Sequence, residues 1–120
     1  MGSIAGIRAK KNTTSIRQAL TELQSGLRQL YGVKAPVLLV YGSYARQEIR
    51  PDSDLDVLLI YPHEIYPGQE IRRVSALLAE LNLRHQVLIS VMPTSQDRYQ
   101  RSQGAFWENV RREGKPIQSV

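Results

Sequence analysis

The chain has 120 residues, a length typical of one domain that buries roughly two thirds of its unfolded surface. It contains no cysteine, which excludes disulfides and is consistent with a reducing cytoplasm, and no apolar run approaches the length of a membrane span. The net charge of +5 favours polyanions, nucleotide phosphates or an acidic partner, and equally a basic surface that only aids solubility.

The N-terminal third predicts a basic segment followed by an amphipathic helix. We interpret residues 1–14 as a flexible basic arm and residues 15–120 as the folded domain. A threonine or serine at positions 13–15 can cap a helix that runs to about Tyr31, where Gly32 stops it. Its apolar side chains recur at spacings of four and three: Ile16, Leu20, Leu23, Leu27 and Leu30.

Two short aliphatic runs predict buried strands on either side of a polar segment. The first run is Val37–Val40 and the second is Val57–Ile60, and both are too short for buried helices. The second strand is also predicted to carry Asp54 and Asp56 at alternate positions. Because successive side chains of a strand alternate between faces, the two carboxylates are predicted to point the same way, roughly 7 Å apart.

This pair of acids is costly unless something neutralises it. At about 6 Å and an effective dielectric near 20, two carboxylates repel by roughly 3 kcal/mol. A hard divalent cation, with Mg²⁺ the first choice, suits clustered carboxylate oxygens. The two histidines lack the spacing of zinc ligands. A bare Asp-x-Asp is also common by chance, so solvated acids at a strand edge are the alternative.

A Gly-Ser turn follows the first strand. Gly42 permits a sharp turn and a close approach of the backbone, and Ser43 can cap a short helix whose free N–H groups suit a phosphate. The turn lacks the Lys-Ser/Thr ending of a P-loop and the spaced glycines of a dinucleotide fold. It is therefore another kind of phosphate site, or only a turn.

The second half of the chain predicts helix, strand and helix. A loop rich in proline and glycine leads to a helix from about Gln69 to Leu81, which ends at Asn82. Its inward side chains are predicted to be Ile71, Val74, Leu77, Leu78 and Leu81. A third strand, Gln86–Met92, is predicted to end at Pro93. The last element is predicted to be a helix that is capped at Thr94-Ser95 and ended by Gly114 and Pro116. Gly104 is predicted to break it into two pieces. Its apolar stripe is predicted to include Tyr99, Phe106, Trp107 and Val110.

Taken together, these elements predict a single α/β domain with a small mixed sheet of three or four strands and helices packed on one face. The spacing Gly42-Ser43, ten residues, Asp54-x-Asp56 resembles the signature of the nucleotidyltransferase superfamily that includes DNA polymerase beta. Ala45-Arg46 after the serine and Ser53 before the first acid match that signature too. The chain looks like the bacterial minimal nucleotidyltransferases, the MntA-type antitoxins that are often paired with a HEPN-domain toxin.

The resemblance implies a function and a role for each matching residue. Asp54, Asp56 and Ser43 would be catalytic, and the two aspartates would bind one or two Mg²⁺ ions. Gly42, Ser43, Arg46 and Ser53 would bind ATP, and AMP would pass to a tyrosine hydroxyl of the HEPN toxin. A cytoplasmic hetero-oligomer with that toxin is the expected assembly.

Two departures from the family pattern bear on this expectation. Gln47 replaces a common glycine, on what is predicted to be a surface helix. More seriously, active members usually carry a third aspartate on the third strand, and here that strand has no acid. Ser90 or Gln86 would take its place, and neither is a strong base. A binding module that neutralises its partner without catalysis is therefore a second hypothesis, and an RNA-binding accessory protein with basic termini is a third.

Overall fold

The computed structural model describes residues 13–50 and 52–120, so the predicted basic arm lies almost wholly outside the described residues. The helices are α1 (Thr13–Tyr31), α2 (Ser43–Arg46), α3 (Pro67–His85), α4 (Gln96–Arg101) and α5 (Ala105–Glu113). The strands are β1 (Val37–Tyr41), β2 (Leu55–Tyr61), β3 (Ile89–Ser95) and β4 (Lys115–Pro116), and 3-10 turns lie at Gly32–Lys34 and Ile117–Ser119. In the described ranges, no helix combines the length and the apolar character needed to cross a bilayer.

The four strands form one mixed sheet in the order β3-β2-β1-β4. β1 pairs antiparallel with both β2 and β4, whereas β2 pairs parallel with β3. The parallel pair requires a long crossover, and α3 supplies it. The predicted α/β fold with a small mixed sheet is confirmed.

One face of the sheet packs against α1 and α3 and carries the main core. Four of the five predicted side chains of α1 are buried there, namely Ile16, Leu20, Leu23 and Leu27. The prediction for Leu30 is wrong, because it is 48 % exposed and Tyr31, four residues after Leu27, packs inward in its place. The prediction for Ile71 is wrong for a similar reason, since its neighbour Glu70 turns inward and accepts a hydrogen bond from the Tyr31 hydroxyl at 2.6 Å.

The opposite face carries a smaller cluster under α5. Leu58 and Ile60 of β2 pack there against Val110, with Tyr99 and Trp107 partly buried around them. The long helices therefore lie on one face, as expected, and the short C-terminal helix adds a cover on the other. As predicted, Gly104 separates two short helices.

The predicted bounds of the third strand are wrong at both ends. α3 continues past Asn82, whose side-chain Oδ1 accepts the N–H of Ile89 at 3.0 Å and so holds the start of β3. Gln86 follows α3 in a left-handed conformation with φ 51° and lies outside the strand. Pro93 lies within β3, because an edge strand tolerates proline where its nitrogen faces outward.

Candidate active site

The two aspartates lie at the beginning of β2, although only Asp56 belongs to the strand that the sequence predicts to carry both. Asp54 is exposed and immediately precedes the strand, and Asp56 is half-buried within it. Asp56 lies two and four residues before Leu58 and Ile60 along the strand, so it points to the same sheet face as the cluster under α5. Its direct partner across the antiparallel pair is Tyr41, the last residue of β1.

The Gly-Ser turn meets Asp56 at this end of the sheet. Gly42 has φ 74° and ψ −149°, a conformation that side-chain-bearing residues rarely adopt. A Cβ atom on Gly42 would lie 2.5 Å from Oδ2 of Asp56. Because of this close approach and the positive φ, any side chain at position 42 would be strained and would displace the Asp56 carboxylate. Ser43, the next residue, begins α2. The turn and Asp56 are thus close together, and the convergence of Ser43 and Asp54 on the same site stays a prediction.

Gly42→Ala is expected to lower both stability and activity. The positive φ costs about 1–2 kcal/mol for alanine, and the new methyl group displaces the Asp56 carboxylate. We expect a fall in melting temperature of several degrees and at least about a tenfold loss of catalysis. Gly32→Ala is the matched control, because Gly32 has φ 62° and a Cβ atom added there would meet nothing within 4 Å. It should reproduce the destabilisation and leave catalysis intact; equal catalytic losses in both variants would contradict the close-approach argument.

Burial and neighbouring carboxylate charge both disfavour ionisation at this end of the sheet. Burial, and next the charge of Asp54, raise the pKa of Asp56, while the charge of Arg46 lowers it and only partly compensates. Burial and then Asp56 raise the pKa of Tyr41, and burial and then Asp54 raise the pKa of Tyr44. A bound cation would relieve this excess. Two carboxylates are a sufficient protein contribution for Mg²⁺, which commonly takes its other ligands from water and substrate phosphates.

The strand register decides between Ser90 and Gln86 for the place of a third acid. Ser90 pairs directly with Asp56 in the parallel ladder, so the two side chains are neighbours on one face. Gln86 lies three residues before β3 and is excluded from that position. Among residues 13–50 and 52–120, no three acidic or histidine side chains cluster closely enough to hold a metal ion. The position beside Asp56 on β3 therefore carries a neutral hydroxyl.

Comparison with known proteins identifies the family. The family model for a nucleotidyltransferase domain matches residues 20–106, which include the turn, both aspartates and Ser90. The chain belongs to the nucleotidyltransferase family. A protein of Methanocaldococcus jannaschii, named as a candidate protein adenylyltransferase, is 25 % identical over 101 residues, covering 83 % of this chain and 95 % of the relative.

Two solved structures share the fold of this nucleotidyltransferase. One is a toxin–antitoxin with AMP-PNP, with a TM-score of 0.56 and 13 % identity over 84 % of this chain and 71 % of that one. The other is a mutant of the toxin–antitoxin MntA–HpeT, with a TM-score of 0.51 and 13 % identity over 78 % of this chain and 67 % of that one. At this identity the likeness concerns the fold alone.

The remaining predicted site residues of the nucleotidyltransferase lie beside the acids and already have protein partners. Arg46 contacts Glu48 at 3.0 Å and Glu113 of α5 at 3.4 Å, and its charge is felt by Asp56. Ser53 accepts a hydrogen bond from the Arg50 N–H at 2.9 Å, which fixes the turn before Asp54. Their roles in nucleotide binding stay predictions.

Three aromatic side chains near the acids are assigned by the sequence to a helix stripe or a strand, without a functional role. The Tyr41 and Phe106 rings are 5.8 Å apart at 89°, and the Phe106 and Trp107 rings are 5.2 Å apart at 85°. In the sequence, the adjacent aromatic residues Phe106 and Trp107 are the visible sign of this cluster. Helical spacing alone does not show which strand these two side chains face. The register of β1 with β2 supplies that missing connection.

The basic C-terminal region of the nucleotidyltransferase carries less free positive charge than the sequence suggests. Arg98 pairs with Glu64 at 3.6 Å, Arg101 with Asp97 at 2.8 Å and Arg112 with Glu113 at 3.5 Å: three arginines of this region are thus engaged by carboxylates. The hypothesis of RNA binding rests on both basic termini, and these contacts reduce the free charge of the C-terminal one only.

Proposed function

We propose that this nucleotidyltransferase transfers AMP from ATP to a tyrosine hydroxyl of a HEPN-domain toxin and so acts as its antitoxin. The observation that carries the proposal is the close approach of the Gly42 turn to Asp56, beside Asp54. The names of its relatives agree with this chemistry, since they include a candidate protein adenylyltransferase and a toxin–antitoxin with AMP-PNP. The MntA–HpeT mutant carries two Asp-to-Glu changes two positions apart, the same spacing as Asp54 and Asp56.

Each residue of the site has a distinct task in this reaction. Asp54 and Asp56 would hold one or two Mg²⁺ ions, which when bound supply positive charge to the triphosphate and to the departing pyrophosphate. The Ser43 hydroxyl and the free N–H groups of the turn would hold the β- and γ-phosphates. The site would therefore act mainly by positioning and by electrostatic complementarity to the transition state.

The third strand offers no strong base to activate the acceptor hydroxyl. Ser90 neighbours Asp56, and its hydroxyl can orient a water or the acceptor oxygen but is a poor base. We therefore infer a slower enzyme than relatives with a third carboxylate.

Label transfer from ATP tests the proposal. The protein is incubated with Mg²⁺, α-labelled ATP and the toxin encoded beside it, and label should appear on the toxin. Asp54→Asn and Asp56→Asn should each lower the rate at least about 100-fold. Asp52→Asn is the matched control, because Asp52 is an exposed acid only two residues from Asp54. Transfer that survives both site substitutions would exclude these acids as the catalytic pair.

A binding module without catalysis is the second candidate, and the neutral side chain at Ser90 favours it. Such a module would keep the fold and neutralise its partner by covering it. The discriminating measurement is toxin neutralisation in cells. If Asp54→Asn and Asp56→Asn both still protect the cells while label transfer is lost, complex formation alone is sufficient.

A further inference from the structure

We propose that Phe106, held by Tyr41 and Trp107, is a stacking platform for the adenine base of the bound nucleotide. These three residues are called the aromatic platform below. The inference rests on the proposed function, because it assigns the part of the nucleotide that the acids and the Gly-Ser turn leave unbound.

The aromatic platform is connected to the acid pair by the sheet register. Tyr41 is the direct cross-strand partner of Asp56, and such partners have Cβ atoms about 5 Å apart. The Phe106 ring centroid lies 5.8 Å from that of Tyr41, and Tyr41 packs on the sheet face under α5. Phe106 therefore lies on the order of 10 Å from the Asp56 carboxylate, a span comparable to that between the base and the phosphates of an extended nucleotide.

The exposure of the three rings differs in a way that suits a platform. Tyr41 and Trp107 are partly buried against the cluster of Leu58, Ile60 and Val110, whereas Phe106 is 42 % exposed. Both contacts to Phe106 are edge-to-face, with interplanar angles of 89° and 85°. The two inner rings thus fix the Phe106 ring and leave part of it open to solvent.

A base satisfies this arrangement better than an aromatic residue of a protein partner. The base is covalently attached to the phosphates, so its reach from Asp54 and Asp56 is fixed by the nucleotide itself. Stacking on an aromatic ring strengthens with the area of the base, which favours purines. A contribution of about tenfold or more to nucleotide affinity is typical of one such stack.

The experiment compares ATP with inorganic tripolyphosphate, both with Mg²⁺, by calorimetry and by tryptophan emission. Trp107 is the only tryptophan of the chain and its ring contacts Phe106, so its emission reports on the platform. We expect ATP to bind about tenfold more tightly than tripolyphosphate and to change the Trp107 emission, which tripolyphosphate leaves unchanged. CTP should bind more weakly than ATP.

Substitutions at Phe106 give the decisive comparison. Phe106→Ala should weaken the binding of ATP about tenfold and leave the binding of tripolyphosphate unchanged. Phe106→Tyr keeps an aromatic ring and should retain the wild-type affinity for ATP. Tyr66→Ala is the control for loss of an exposed aromatic side chain, because Tyr66 is 74 % exposed beyond the opposite end of β2. Tyr66→Ala should change the affinity for neither ATP nor tripolyphosphate.

Failure of the platform is distinguishable from failure of the proposed function. If Phe106→Ala leaves ATP affinity unchanged while label still reaches the toxin, the platform is wrong and the transfer reaction stands. If Phe106→Ala weakens only the binding of the toxin, the ring belongs to a protein interface, which also overturns the platform. If neither ATP nor tripolyphosphate binds the wild-type protein, both proposals are overturned.

Discussion

Asp56→Asn is expected to abolish nucleotidyl transfer and at the same time to stabilise the metal-free protein at neutral pH. Burial and the neighbouring Asp54 charge raise the pKa of Asp56, so the folded protein disfavours its ionised form. Asparagine removes that penalty and keeps the shape of the side chain. After allowance for solvent screening we expect a gain on the order of 1 kcal/mol, or about 4 °C in melting temperature.

The pH dependence of this gain has a definite sign. Below the ordinary carboxyl pKa, Asp56 is protonated in both the folded and unfolded states, and it contributes no difference. As the pH rises towards the raised folded pKa, the unfolded state ionises first, so the wild-type protein loses stability relative to the variant. Above the raised pKa the loss is complete and constant.

Thermal melts in EDTA from about pH 4 to pH 8 measure this difference. The gap between Asp56→Asn and wild type should open with rising pH, and Mg²⁺ with ATP should close it by stabilising only the wild type. Asp52→Asn serves as the control for loss of an exposed acid. A variant less stable than wild type at neutral pH would show that Asp56 is held by favourable contacts and not by a strained site.

Ser90→Asp is expected to raise the rate of nucleotidyl transfer by about tenfold or more. Ser90 is the register partner of Asp56, so an aspartate there would add a third carboxylate to the same face. The resemblance to active family members implies that this carboxylate helps to bind metal and to activate the acceptor hydroxyl. General-base assistance alone contributes about 10²-fold or more in well-placed sites.

The same substitution should make the metal-free protein less stable, because a third negative charge joins a pair that Arg46 only partly compensates. Gln86→Asp is the matched control, since it adds the same charge four residues away but outside the strand. Initial rates of label transfer and melts with and without Mg²⁺ provide the measurements. A Ser90→Asp variant that loses stability without Mg²⁺, regains it with Mg²⁺ and yet gains no rate would place the acceptor elsewhere.

The sequence predicts the part of the site that depends on local geometry. Gly42, Ser43, Asp54 and Asp56 lie at or near the facing ends of two adjacent antiparallel strands joined by one short segment, so their spacing along the chain determines their proximity. The position of Ser90 depends instead on how β3 aligns with β2, and no local pattern reveals that register. The predicted end of β3 at Pro93 is wrong, because a proline ends a central strand but is tolerated in a strand at the edge of the sheet.

Backbone conformation and side-chain orientation account for other differences. Gln47 is expected on a surface helix, but it follows α2 in the left-handed region with φ 60°, where the family's common glycine would be unstrained. Phe106 and Trp107 belong to a helix stripe that predicts burial. Only the packing of α5 on the face that carries Tyr41 reveals that Phe106 contacts Tyr41 and stays partly exposed.

The position of Pro93 in β3 has a consequence for self-association. Among the strands of the described residues, β3 lies at one edge of the sheet, and such edges can recruit strands from other chains into fibrils. An incoming strand would find no N–H at Pro93 to complete its ladder. The proline thus interrupts the row of backbone donors on β3 and disfavours edge-to-edge pairing with another chain.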